Sequence, residues 1–387
     1  MIDISEGSAG HAVIAREVER ALDRDPGFVV QDTHALLNAG GERDDAANVK
    51  SAQAFRTAGL AALEAGELED AVEQLQTAAA LMAKSFAFLR EADEYRQLLV
   101  ESGVAQLRAG EEEAASRTLE RAVVFGAESA SIPLKPAEEA LLAAARQKIK
   151  EAPRGGIEIA SQPASAEAWV DGRFVGVTPC AAWGLPAGEH IVTMYKAGYA
   201  PVTATAVANT EAPAQVQAKL QPARRKLLYD EMLEKLRPEM DHLGGTPPMG
   251  GEGVKQAGSL LLSEVVLVVR SRGPVNATEV ELFLFDTQSQ RLLQRVSGTV
   301  DTGSSGLRAA IAPLVARVSE IDWAVALGGE AEDPTARRES TRLVKKWWFW
   351  TIIGGVVAGG ATAAVLLATK GDGESAPATT GSVVLSF

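Results

Sequence analysis

Residues 157–208 read IEIASQPASAEAWVDGRFVGVTPCAAWGLPAGEHIVTMYKAGYAPVTATAVA. Apolar residues alternate in Ile157-Glu158-Ile159, in Ala168-Trp169-Val170 and through His190-Ile191-Val192-Thr193-Met194, the two-residue period of short half-buried strands. Turn residues fall between these runs. Asp171-Gly172 fits a two-residue hairpin turn, and Pro186-Ala187-Gly188 closes another turn before the next strand. A β unit of about 65 residues with this punctuation reads as a small sandwich, with Trp169 and Trp183 expected as its core anchors.

Six punctuating elements stand in a fixed order: Pro163, Asp171-Gly172, Gly176, Thr178-Pro179, Pro186 to His190 with Gly188 inside it, and Gly198-Tyr199. That order resembles the PEGA domain, named for a Pro-x-Gly-x tetrad that corresponds here to Pro186-Ala187-Gly188-Glu189. The resemblance implies a non-catalytic β module of bacterial surface and envelope proteins, one that binds or spaces. It names no ligand.

Upstream of this unit the chain is helical and repeats itself. AFRTAGLAALEAGELEDAVEQLQTAA, from Ala54, aligns with LLVESGVAQLRAGEEEAASRTLERAV, from Leu98, at a constant shift of 44 residues. The shift pairs Gly59 with Gly103, Leu63 with Leu107, Gly66 with Gly110, Ala71 with Ala115, Leu75 with Leu119 and Ala78 with Ala122. Small residues let antiparallel helices pack closely, and Gly66 and Gly110 sit where each hairpin must reverse. Over residues 52–125 the pattern resembles the tetratricopeptide repeat, with Ala62 and Gln106 where that family carries a large aromatic. The shift exceeds the family's period of ~34, so the helix between the copies is expected to be extended by several turns. The resemblance implies a groove for protein segments; the alternative is a helical spacer with no ligand. Glu64, Glu67, Glu69, Asp70 and Glu73 in one copy and Glu111, Glu112 and Glu113 in the other gather around the turns, an acidic edge suited to a basic or mixed-charge protein partner.

Downstream, residues 223–328 read as a small α/β domain. A charged helix (RRKLLYDEMLEKLRPEM) leads through a Gly/Pro loop to strands at 263–270, 277–286 and 291–300. After Ser304 and Ser305 as N-caps, Leu307, Ile311, Leu314, Val315 and Val318 fall on one helical face. Tyr229 and Leu228 on the opening helix read as packing residues.

Residues 347–369 carry no charge and as a helix would span roughly 34 Å, enough for the hydrocarbon layer of a membrane. Lys345 and Lys346 with Trp347, Trp348, Phe349 and Trp350 mark one interface. A buried core helix is the alternative. Gly355, Gly359 and Ala363 share a face that would admit a second copy, hence a homodimer. The expected organisation is multidomain: an N-terminal helical or α/β remnant (1–47), tetratricopeptide-like helices (48–130), a small all-β PEGA-like sandwich (154–222), the small α/β domain (223–328), a juxtamembrane linker (329–346), one C-terminal transmembrane helix (347–369) and a polar tail (370–387).

A net charge of −13 argues against a general nucleic-acid binder. With Cys180 the one cysteine, neither an intrachain disulfide nor a cysteine-based zinc site can form; it reads as the filler of a small gap. His11, His34, His190 and His242 show no metal-binding spacing, GGEGVK at 250–255 lacks the Gly-Lys-Ser/Thr of a phosphate loop, and Asp286 reads as a turn cap. The expectation is therefore a protein that is not an enzyme and uses no cofactor or metal. It would be a single-pass scaffold or adaptor of the bacterial cell envelope, binding protein partners through the helical repeat. The alternative is a ligand-sensing accessory or regulatory subunit whose α/β domain takes a small molecule. Two arguments on the side of the membrane disagree. Arg337, Arg338, Arg342, Lys345 and Lys346 before the anchor put the bulk in the cytoplasm by the positive-inside rule, as does the lack of a signal peptide. The PEGA resemblance, and residues 12–37 that look like the later part of a domain, put it outside if the true start lies upstream.

Overall fold

The computed structural model describes residues 1–5, 9–38, 45–89, 92–127, 131–243, 248–303 and 306–321. Among them no helix is long and apolar enough to cross a membrane. The stretch 347–369 with Gly355, Gly359 and Ala363, its flanks, and Ser304 and Ser305 lie outside the described residues.

The chain opens with β1 (Ile2–Asp3), α1 (Ala9–Asp23) and α2 (Thr33–Asn38). Five helices follow: α3 (Asp45–Ala65), α4 (Leu68–Lys84), α5 (Ala92–Arg108), α6 (Glu112–Val124) and α7 (Pro136–Glu151). The β module holds β2 (Arg154–Gln162), β3 (Glu167–Val170), β4 (Arg173–Val177), β5 (Cys180–Pro186), β6 (Gly188–Tyr195), β7 (Val202–Ala208) and β8 (Ala214–Lys219). Then come α8 (Lys226–Asp241), α9 (Glu252–Leu261), β9 (Val265–Arg272), β10 (Thr278–Asp286), β11 (Leu292–Val300) and α10 (Leu307–Ser319).

The two copies of the repeat are helical hairpins, α3–α4 and α5–α6, with the same close contact and the same turn. A Cβ added at Gly59 would come within 2.7 Å of Leu75, and one at Gly103 within 2.8 Å of Leu119, the residue related to Leu75 by the same shift that relates the two glycines. The missing side chain is what lets the helices of each pair approach. Gly66 and Gly110 both take the left-handed conformation (φ +82° and +85°), and the next amides, Glu67 and Glu111, bond back to the carbonyls of Ala62 and Gln106 at 2.9 and 2.8 Å. The extra length between copies is not several turns of helix. α4 stops at Lys84, only about one turn longer than α6, and a 3₁₀ turn at Phe86–Phe88 begins the rest of the connection.

The β module is a sandwich of a three-stranded sheet, β5-β2-β8, and a four-stranded sheet, β4-β3-β6-β7. Ile157, Ile159, Ala168, Val170, Val192 and Met194 meet between them. The two tryptophans are not in that core. Trp183 lies across Gly156 on the edge strand with 65% of its surface exposed. Trp169 is half-buried on the outer face of β3, edge-on to Phe174 and Tyr195 and under the Arg16 guanidinium at 4.5 Å. The core positions of this small sandwich hold Ala166, Ala168 and Ala182, which leave no room for an indole. β6 is buried on both faces: Val192 and Met194 enter the sandwich and Ile191 enters the helical core.

Residues 1–38 are not a separate remnant. β1 pairs in parallel with β9 (Ile2 beside Val268), giving the sheet order β1-β9-β10-β11. Ile2, Ile4 and Leu37 share a core with Tyr229, Met232, Val268 and Phe283. The α/β domain is therefore assembled from both ends of the described chain. Tyr229 packs as expected, whereas Leu228 is exposed. The glycine-rich stretch after residue 250 forms α9, because Gly253 and Gly258 let it lie directly against Leu236 of α8 and Thr287.

Candidate functional site

The motif residues of the β module hold it together from within and tie it to its neighbours. Asp171 and Gly172 form the β3–β4 turn with positive φ at both positions (+51° and +74°), and Val170 pairs with Arg173 across it, the two-residue turn that matches strand twist. The turn is also a contact. A Cβ at Gly172 would lie 2.4 Å from that of Ala92 at the start of α5.

The Asp171 carboxylate reaches back to β6. One oxygen accepts the Ile191 amide at 2.9 Å and the other meets His190 Nδ1 at 2.5 Å, while His190 Nε2 lies 2.8 Å from the Pro186 carbonyl. A ring with an acceptor at each nitrogen bonds to both only as imidazolium. Burial alone lowers the pKa of this histidine, but the Asp171 hydrogen bond and charge, the Pro186 carbonyl and Glu189 outweigh it and raise the pKa. His190 is 1% exposed, and with Asp171 it staples the β3–β4 turn to β6.

Thr178 closes the other end. Its Oγ1 accepts the Ala166 amide at 2.9 Å and lies 2.6 Å from Ser161 Oγ, which donates to the Pro163 carbonyl at 2.6 Å. Pro179 follows Thr178 into β5, where Cys180 sits half-buried beside Gly176 with its thiol pKa raised by burial. Gly188 begins β6, and Pro186 to Gly188 carries the chain from one sheet to the other. Gly198 lies against Tyr229, and Lys226 stands 4.9 Å over the Tyr199 ring, so this end of the motif docks onto α8.

Residues 154–224 match the PEGA domain family. No curated protein matches the chain.

The helical hairpins present the second candidate surface. At both turns the acidic residues Glu64, Glu67, Glu69, Asp70 and Glu73, and Glu111, Glu112 and Glu113, are exposed, while Ala71 and Ala115 are buried beneath them. Inside the bundle the acids are paired: Glu101 accepts Arg56 at 2.7 and 2.6 Å and Ser131 at 2.6 Å, and Glu138 accepts Arg108 at 2.7 Å. The bundle leans on the β module through Phe86, Tyr95 and Phe125, whose rings meet edge to face, through Ala87 N–H to Thr203 Oγ1 at 3.1 Å, and through Arg121 to Glu189 at 3.1 Å.

A third feature had no signal beyond one arginine inside an apolar strand. A cavity of about 320 Å³ opens at the end of β9, lined by Arg237, Asp241, Arg270, Ser271, Arg272 and Gly273 among others. Arg270, only 7% exposed, donates from Nε and Nη2 to Glu281 at 2.8 and 2.5 Å and from Nη1 to Asp241 at 2.9 Å. Arg272 donates to Asp241 at 2.6 Å, and Arg295 to Glu281 at 2.6 Å. Among the described residues no group of three His, Cys, Asp or Glu side chains is placed to hold a metal.

Proposed function

We propose that the protein is a non-catalytic, membrane-anchored envelope protein of a bacterium. In this reading the helical hairpins capture a protein partner, the PEGA module spaces and orients them, and residues 347–369 anchor the chain, with Gly355, Gly359 and Ala363 as the face for a second copy. One observation carries the reading: two equivalent hairpin turns, each closed by the same left-handed glycine, each present a cluster of exposed carboxylates. Glu69, Asp70, Glu112 and Glu113 lie in the first turns of α4 and α6, where they favour the helix dipole; Glu64 and Glu73 lie outside those turns, and the recurrence of the whole cluster supports recognition of a basic or mixed-charge segment. The tetratricopeptide-like pattern supports the same assignment, since helical hairpins of that kind stack into grooves for peptide segments.

The β module makes a poor alternative docking part on its buried side. The outer face of its four-stranded sheet is covered by Phe86 and Ala87 from the bundle and by α1. The test is co-purification of the full chain from membranes in mild detergent, comparing wild type with the triple variant Glu111→Lys, Glu112→Lys, Glu113→Lys. A partner should be lost from the variant, with the loss greater at low salt than at high salt because exposed charges are screened within ~8 Å at physiological ionic strength. Unchanged capture by a folded variant removes the acidic turns from the binding surface.

A further inference from the structure

We propose that the arginine-lined cavity at the end of β9 binds a small phosphate-bearing molecule. This sharpens the ligand-sensing alternative by naming the cavity and the charge of the ligand, and it does not depend on the protein-binding role of the hairpins.

Two independent observations converge on it. The first is the lining. Three guanidinium groups, Arg237, Arg270 and Arg272, face one carboxylate, Asp241, around a space of about 320 Å³, within the size range of small-ligand pockets. Glu281, Glu279 and Asp3 offset part of this charge from outside the lining. Glu281 is taken up by Arg270 and Arg295, Glu279 sits opposite Arg272 in the sheet register, and Asp3 is bonded by the Ser5 amide. Arg270 spends three of its five N–H groups on Glu281 and Asp241, which leaves one on each terminal nitrogen. Fixing a nearly buried guanidinium by a carboxylate on its far edge leaves its fork pre-oriented, the arrangement that suits two-point bonding to a phosphate.

The second observation is position. β1 and β9 are the parallel pair of the sheet, and the cavity lies at their carboxyl ends: Ile4 follows β1, and Arg270 to Arg272 close β9. Open α/β sheets bind ligands in the crevice outside the carboxyl ends of such strands. His11 of α1 reaches the same rim, its Nε2 3.4 Å from the Gly273 carbonyl.

The experiment is calorimetric titration of the full chain in mild detergent at low ionic strength, with inorganic phosphate, glycerol phosphate and acetate as separate probes. A free-phosphate site takes the first two alike, whereas a phosphoester site prefers glycerol phosphate; either outcome supports the proposal. Arg272→Gln, at a side chain 55% exposed, should weaken binding about tenfold, the effect of one charge-assisted hydrogen bond. Arg308→Gln, on α10, should change nothing. Phosphate should also protect Arg272 from modification by phenylglyoxal, read by mass spectrometry, which needs no variant. Absence of saturable binding by both phosphates overturns the proposal. So does acetate binding as tightly, or an equal loss in Arg272→Gln and Arg308→Gln.

Discussion

The β module and the α/β sheet each bury an acid–base pair, and the two pairs differ in kind. In the β module His190 is held as imidazolium by Asp171, and a histidine loses its charge within the neutral range. In the α/β sheet the base is Arg270, a guanidinium rather than an imidazole. The first pair joins a turn to a strand and can be released by deprotonation. The second faces a cavity and is made permanent, with Phe283 stacked 5.1 Å under the guanidinium and Arg295 sharing Glu281. The contrast separates a fastening from a fixed charge.

The strongest attack on this contrast removes the acid from the permanent pair. We predict that Glu281→Ala costs about 3–5 kcal/mol, because it strands a nearly buried guanidinium without its main partner. Hydrogen exchange read by mass spectrometry should show the loss first in peptides of β9 and β10. A fall confined to β6 would mean that the two regions are not separate fastenings. Next in size is Gly172→Val in the β module, at about 2 kcal/mol or more. A β-branched residue is strained at φ +74°, and its Cβ would overlap Ala92. Exchange should rise in β3, β4 and the start of α5 together, since the turn is also a docking point for the bundle.

The pH dependence of the first pair follows from the direction of its shift. The pKa of His190 is raised above the ordinary 6.5, so folding binds a proton more tightly than the unfolded chain does. The stabilisation is complete below about pH 6.5 and is lost as pH climbs through the raised folded value. Protection of β6 should therefore fall from neutral to mildly alkaline pH, and His190→Gln should flatten that fall. Glu167, pushed up to about 7 by burial and the neighbouring Glu19, titrates in the same window at the contact with α1. The variant separates the two. His190→Gln should leave the pH response of β9 and β10 unchanged.

The sequence carries local pairings well and distant ones poorly. Strands β2, β3 and β6 can be read from alternation and the β3–β4 turn from its residues, because Asp171-Gly172 and Ile157/Ile159 state their conformation within a few residues; the edge strands β5, β7 and β8 carry no such signal. The hairpins were readable because the 44-residue shift repeats both the turn glycine and the leucine that faces the close-packed one. By contrast, β1 pairs with a strand more than 260 residues away, and no local pattern in two residues reports that. Size alone predicts burial for Trp169 and Trp183, and both lie outside the sandwich core. Ala168 and Ala182, which precede the two tryptophans and face the core, are with Ala166 the better indicators of how narrow that core is. Asp171 and His190 were both visible as motif residues, but their partnership needs the register of β3 against β6.

The smallest effect tests whether the β module's fastening is internal. Glu189 precedes His190, adds to the upward shift of its pKa, and bonds Arg121 of α6 at 3.1 Å with both side chains more than a third exposed. An exposed pair of this kind contributes roughly 0–1 kcal/mol, because water and salt screen it and two long side chains must be ordered. Glu189→Gln should therefore leave the melting of the full chain within about a degree or two of wild type. It should still lower the pKa of His190 slightly, since one of the charges favouring imidazolium is gone, and NMR titration of the ring would read this. High salt should abolish the difference between wild type and variant without touching the Asp171 contribution, which is buried and bonded at 2.5 Å. If Glu189→Gln flattens the pH dependence of β6 as fully as His190→Gln does, the histidine answers to the surface contact with the helical bundle. The staple would then be a joint between modules rather than a fastening within one.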